Sequence, residues 1–170
     1  MKHSHTKLVV LVNPRHRFGE GVFRAERTIL PLGLLCVATP LDTAGYTVRI
    51  IDQHIDPDWR ESLKSALQAS PICVGISCMT GPQIHYALAA SELIKEHGGI
   101  PVVWGGTHPS LLPHQTLENK NIDIVVAGEG EETFFELVET LAGNGRLADV
   151  AGIWYKHEGH IESTRKRPFI

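Results

Sequence analysis

The sequence predicts a doubly wound, flavodoxin-like (Rossmann-like) α/β domain: a five-stranded parallel sheet flanked by helices, with a C-terminal β-hairpin. Three observations predict it. Short, β-branched apolar runs recur five times, helix-like segments separate them, and the pattern changes to a turn between two short strands near the end. The runs are apolar on consecutive residues rather than on alternate ones. Such strands are buried on both faces, which is the signature of a parallel sheet with right-handed crossovers.

Leu8-Val9-Val10-Leu11-Val12 is the first strand, followed by a polar loop over residues 13–27. A helix over residues 32–44 contains Pro40, which predicts a bend, and Gly45 ends it. Thr47-Val48-Arg49-Ile50-Ile51 is the second strand. Asp58 with Glu61 reads as a capping box, after which Trp59, Leu63, Ala66 and Leu67 share one face. Ile72-Cys73-Val74-Gly75-Ile76 is the third strand, and Pro82 opens a helix that Gly98 closes. Pro101-Val102-Val103-Trp104 and Ile122-Asp123-Ile124-Val125-Val126 are the fourth and fifth. Glu131 and Glu132 start a final helix, where carboxylates suit the dipole. Then Gly152-Ile153-Trp154-Tyr155-Lys156 and His160-Ile161-Glu162-Ser163-Thr164 flank the turn His157-Glu158-Gly159. The division expected is a domain over residues 1–145 and a hairpin extension over residues 146–170.

The 170 residues fit one domain, large enough to bury ~70% of its unfolded surface without a metal or disulfide. A net charge of −3 gives no footprint for nucleic acid or an anionic membrane. The basic cluster Arg165-Lys166-Arg167 reads as a solvated tail. Three cysteines, Cys36, Cys73 and Cys78, cannot all pair, so no disulfide framework and a reducing cytoplasm are expected. Met1-Lys2-His3-Ser4-His5 runs into the first strand without a signal-peptide apolar core, and no apolar stretch reaches membrane-spanning length.

In open α/β sheets, ligands bind beyond the C-terminal ends of the strands. The loops there begin at Asn13, Ser77, Gly105 and Gly128. Asn13-Pro14-Arg15-His16 is not the glycine-rich turn of a dinucleotide fold, and Gly128-Glu129-Gly130 follows the wrong strand for one. There is no acidic pair after the first strand as in a phosphoacceptor domain, no P-loop and no nucleophile elbow. Cys73 and Cys78 are too far apart for a redox Cys-x-x-Cys.

Ser77-x-Met79 followed one helix later by Gly105-Gly106 is similar to the Ser-x-Leu…Gly-Gly pair of cobalamin-binding domains. Gly75-Ile76-Ser77…Thr80-Gly81, Trp104-Gly105-Gly106-Thr107-His108-Pro109 and Gly128-Glu129-Gly130-Glu131-Glu132 resemble one branch specifically. That branch is the N-terminal cobalamin (B12)-binding domain of B12-dependent radical SAM enzymes, and the resemblance extends over nearly the whole chain. It implies that the serine approaches the nucleotide tail and that the paired glycines clear a slot for it, since a side chain there would fill the space. The cofactor site then comprises Asn13, Pro14, His16, Ser77, Met79, Thr80, Gly81, Gly105, Gly106, Thr107, His108, Gly128, Glu129 and Gly130.

The resemblance further implies a radical SAM domain as partner on the same polypeptide, carrying SAM and a [4Fe-4S] cluster. The Cys-x-x-x-Cys-x-x-Cys motif of that domain is absent from these residues, so they are not expected to generate radicals. The Asp-x-His-x-x-Gly motif of histidine-ligated B12 proteins is also absent. His16-x-x-Gly19 has Pro14 where the aspartate would orient the imidazole, and Asp52-x-His54 follows the second strand with Pro57 in place of glycine. The radical SAM branch resembles base-off binding without a histidine on cobalt.

Ordinary readings stand beside these. Gly105-Gly106 also fits a tight strand exit, His108 a helix cap, and Ser77 and Thr80 hydroxyls bonded to backbone. Glu129 and Glu131 serve the helix N-terminus whether or not one meets a corrin amide. His16 fits a solvated loop and Cys78 a small buried residue, while Trp59, Phe134 and Phe135 read as core or helix face. A freestanding B12 carrier or sensor, and a flavodoxin-like domain with another small ligand, are the alternatives to a radical SAM cofactor domain.

Overall fold

The computed structural model describes residues 7–16 and 30–168. Much of the first loop, including Gly19, and the closing Phe169-Ile170 lie outside the described residues. Five parallel strands, β1 (Leu8–Asn13), β2 (Thr47–Asp52), β3 (Val74–Ser77), β4 (Val102–Gly105) and β5 (Ile124–Val126), stand in the order β2-β1-β3-β4-β5. This is the flavodoxin-like order, with the switch point at β1 and β3. The hairpin of β6 (Ile153–His157) and β7 (His160–Ser163) pairs antiparallel with β5, so it completes a seven-stranded sheet.

Alternate residues of each strand feed two separate cores. Val10, Val12, Val74, Ile76, Val102 and Trp104 face α2 (Trp59–Leu67) and α3 (Gln83–His97). Val9, Leu11, Val103, Ile124 and Val126 face α1 (Leu32–Thr43) and α6 (Glu131–Ala142). Between β4 and β5 lie two short helices that no periodic pattern announced, α4 (Thr107–Leu111) and α5 (Pro113–Leu117).

Local chemistry explains most boundaries. After α1, Gly45 takes φ +82°, its N–H bonds to Asp42 O (2.9 Å), and the Tyr46 N–H bonds to Leu41 O (3.0 Å). That is a Schellman stop, with buried Tyr46 and Leu41 as its apolar contact. Pro40 lies inside the unbroken helix.

The capping box at α2 does not form. Asp58 sits at φ −98°, ψ 23°, away from the extended conformation that aims a cap carboxylate at the first turn, and it makes no side-chain cap bond. Glu61 pairs instead with Lys64 at 2.8 Å. The C-terminal basic cluster is likewise not wholly a solvated tail. The Arg167 guanidinium lies on α6, donating to Thr133 Oγ1 (2.8 Å) and Glu132 (3.2 Å) and pairing with Glu136.

The polar atoms of the α3-facing core are satisfied internally. The Trp104 indole donates to Ser91 Oγ at 2.9 Å, and both residues are buried. Ser91→Ala would strand that N–H, and a loss of about 1–3 kcal/mol in urea unfolding is expected. An unchanged midpoint would show that the indole finds another acceptor.

Candidate functional site

The C-terminal ends of the parallel strands are joined by a small set of polar bonds. Gln83, buried at the start of α3, accepts from the Met79 N–H (2.6 Å) and donates to Pro14 O (2.7 Å), tying the β3 loop to the β1 loop. Ser110 of α4 donates to Gly106 O (2.7 Å) and accepts from the Gly128 N–H (3.0 Å), tying the β4 exit to the β5 exit. Thr80 Oγ1 lies 3.4 Å from His108 Nδ1. Neither Gln83 nor Ser110 had been singled out in the sequence; each matters because it spans two loops, a property visible only in three dimensions.

Between these exits and the helices α1 and α6 lies a cavity of about 220 Å³. Its floor is the α1-facing side of the sheet: Leu11, Gly75, Ser77, Val103, Gly105 and Val126. Leu34 and Val37 of α1 and Phe134 of α6 form the opposite wall, and Gly128, Glu129, Gly130 and Glu131 line the β5 end. A whole drug-sized ligand needs ~300–1,000 Å³, so this space suits one portion of a larger molecule.

Glycines keep it open. A Cβ on Gly105 would meet nothing nearer than Val126 at 4.0 Å, so any side chain there would enter the cavity. A Cβ on Gly75 would strike Leu11 at 2.8 Å and Phe134 at 2.9 Å, so the bare strand lets the Phe134 ring close against the sheet. A glycine inside an apolar strand is itself the sequence signal for such an approach.

Gly106 has a different task. At φ +96° it lies against the backbone of Cys78, where a Cβ would come within 2.9 Å of the carbonyl oxygen. The geometry thus divides the Gly-Gly pair into one residue that clears space and one that joins two loops.

Of the fourteen residues proposed for the site, Ser77, Gly105, Gly106, Gly128, Glu129 and Gly130 line the cavity. Met79, Thr80, Gly81 and Thr107 are exposed on the same edge, with His108 half-buried beside them. Asn13, Pro14 and His16 lie on the β1–β2 side, outside the cavity lining. Gly75, Phe134 and Glu131 line it although the expected site left them out. Oε2 of Glu131 is buried without a hydrogen-bond partner.

On the β1–β2 side Asp52, His54 and His16 form a chain. Asp52 Oδ1 accepts from the His54 backbone N–H (2.9 Å) and lies 2.8 Å from His54 Nδ1, while His54 Nε2 lies 2.8 Å from His16 Nδ1. A carboxylate only accepts, so His54 donates from Nδ1 and its Nε2 receives the His16 proton. Both nitrogens of His54 are therefore engaged. Burial, then the neighbouring His54, hold His16 below the usual histidine pKa against an opposing pull from Asp52. Burial lowers His108 as well and pushes the Cys78 thiol up to about 12. Cys78 is a buried thiol that its apolar surroundings hold protonated. No cluster of three or more His, Cys, Asp or Glu able to hold a metal ion occurs among the described residues.

The family model described as the B12 binding domain matches residues 22–138. The chain belongs to that family. This bears out the resemblance drawn from Ser77, Gly105-Gly106 and Gly128-Glu129-Gly130. Cytidylyl-2-hydroxyethylphosphonate methyltransferase of Streptomyces wedmorensis is 30% identical, over 95% of this chain and 34% of its own length. The anaerobic magnesium-protoporphyrin IX monomethyl ester cyclase of Synechocystis is 27% identical, over 95% of this chain and 33% of its own. This B12-binding chain therefore spans about a third of the length of these relatives. Its fold is similar to that of the radical S-adenosylmethionine methyltransferase TsrM from Kitasatospora setae, solved with cobalamin and a [4Fe-4S] cluster bound. The TM-score is 0.81 at 23% identity, covering 97% of this chain and 30% of that one.

Proposed function

We propose that the chain holds cobalamin and presents cobalt to a radical SAM domain of the same polypeptide. The cavity above Gly105, in a chain of the B12-binding family, is the observation that carries this reading. Its size accepts the nucleotide tail but not the corrin, which would rest on the exposed rim of Met79, Thr80, Gly81, Thr107 and His108. The Gly105 clearance and the unpartnered Glu131 oxygen fit an apolar ligand portion bearing a hydrogen-bond donor. Bound cobalamin supplies a redox-active cobalt that can accept and donate a methyl group. Methyl transfer and anaerobic oxidative cyclisation are the activities proposed for the whole protein, by likeness to relatives named methyltransferase and cyclase. In this reading residues 1–145 hold the cofactor and residues 146–170 lead toward the radical SAM domain. Three free cysteines accord with a reducing cytoplasm.

A cobalamin held here would draw no ligand from His54. His54 has no nitrogen to give, and the chain Asp52–His54–His16 serves to brace the β1 and β2 exits. Incubation with hydroxocobalamin followed by desalting should leave a pigmented chain with a base-off visible spectrum. The same spectrum is expected from His16→Ala. A colourless chain would defeat the functional reading, and a spectral shift in His16→Ala would put histidine on the metal.

A further inference from the structure

We propose that Glu131 recognises the nucleotide tail of the corrinoid by accepting a hydrogen bond from a ribose hydroxyl, an inference that rests on the cobalamin reading above. Glu131 opens α6 and lines the cavity next to Phe134. Its Oε2 is shielded from solvent and has no hydrogen-bond partner. A buried carboxylate oxygen without a donor is costly, and a ligand that brings the donor removes that cost.

The surroundings select the kind of donor. Leu11, Leu34, Val37, Val126 and Phe134 make the walls apolar, so the ligand portion is largely apolar too. A phosphate has no proton to give at neutral pH. Although a helix N-terminus ordinarily attracts one, Glu131 and Glu132 in the first turn of α6 offset that attraction, with Glu129 two residues ahead of Glu131. The dimethylbenzimidazole base, joined to ribose through one nitrogen, carries no N–H. Within the base–ribose–phosphate unit the ribose hydroxyls remain as donors. Glu131 therefore fixes which edge of the tail faces α6 and keeps the phosphodiester away from it.

Two corrinoids separate this role from general damage to the site: hydroxocobalamin, which has the tail, and dicyanocobinamide, which lacks the base and ribose. Dissociation constants would be measured by equilibrium dialysis with the 170-residue chain, its folded state monitored by circular dichroism. Glu131→Ala should weaken hydroxocobalamin about 10- to 100-fold, the range for a hydrogen bond to a charged group. Its dicyanocobinamide constant should stay within about twofold of wild type. Glu131→Gln keeps an accepting oxygen in nearly the same shape and should lose only about three- to tenfold on hydroxocobalamin. It carries the test if the alanine variant does not fold. Equal losses on both corrinoids, or hydroxocobalamin binding unchanged in both variants, would overturn the proposal while leaving the cobalamin reading intact. A wild-type chain that binds neither corrinoid would overturn both.

Discussion

Gly105→Leu is expected to abolish retention of hydroxocobalamin while leaving the chain folded. Gly105 is the last residue of β4 and pairs in register with Ser77 of β3. Its φ is not among the positive values, so a side chain is compatible with the backbone. The nearest atoms to an added Cβ, in Val126, are 4.0 Å away, an ordinary contact distance. The remaining leucine carbons would then extend into a cavity of only about 220 Å³. A flat aromatic tail cannot share that volume, because packed interiors have no slack of this size. Binding should fall at least about 100-fold, the scale of the few kcal/mol that overpacking costs. The ligand-free chain should melt near the wild-type temperature, since the backbone accepts a side chain and the added Cβ meets no close contact. Gly105→Ala should fall between the two. Wild-type affinity in Gly105→Leu would mean that the tail lies elsewhere.

The five parallel strands were legible because each is a short apolar run bounded by breakers, and burial on both faces leaves little else such runs can form. The same logic pointed to the loop edge as the candidate site: Ser77, Gly105 and Gly128 are strand-exit residues whatever the ligand. The hairpin could be read from its turn, but not its place. Pairing with β5 depends on Val126 and Ile153 finding one another across the sheet. The α4 and α5 helices, at five residues each, are too short to carry a 3.6-residue pattern. Phe134 read as core, and it is core; that its ring also walls a cavity depends on Gly75, two strands and three helices earlier. Asp58 shows the limit of a local rule, since a cap needs a backbone conformation that the preceding Asp56 contact does not give it. Glu131 was assigned to the helix dipole, a role any first-turn carboxylate fills. Only the burial of its Oε2 distinguishes it from the exposed Glu132.

Gly106→Ala should fail in the opposite way, by unfolding rather than by blocking. The residue holds φ +96°, ψ −171°, a region open essentially to glycine alone, and an L side chain there costs about 1–3 kcal/mol. The added carbon would also stand 2.9 Å from Cys78 O and 3.1 Å from Cys78 N. Neither atom is free to retreat. The Cys78 N–H donates to Gly105 O at 2.8 Å, and Cys78 O accepts from the His108 N–H at 3.0 Å. Moving Cys78 would break the bonds that hold the β3 and β4 exits together, so relief of the clash adds about 1–3 kcal/mol more. A total of about 2–6 kcal/mol predicts a melting temperature lower by roughly 4–24 °C for a domain of this size. Cobalamin binding, measured well below that temperature, should drop less than in Gly105→Leu, because the methyl group lies between two loops rather than in the cavity. A Gly106→Ala chain that melts like wild type yet binds no cobalamin would reverse the assignment, making Gly106 the slot and leaving the Cys78 contact without mechanical importance.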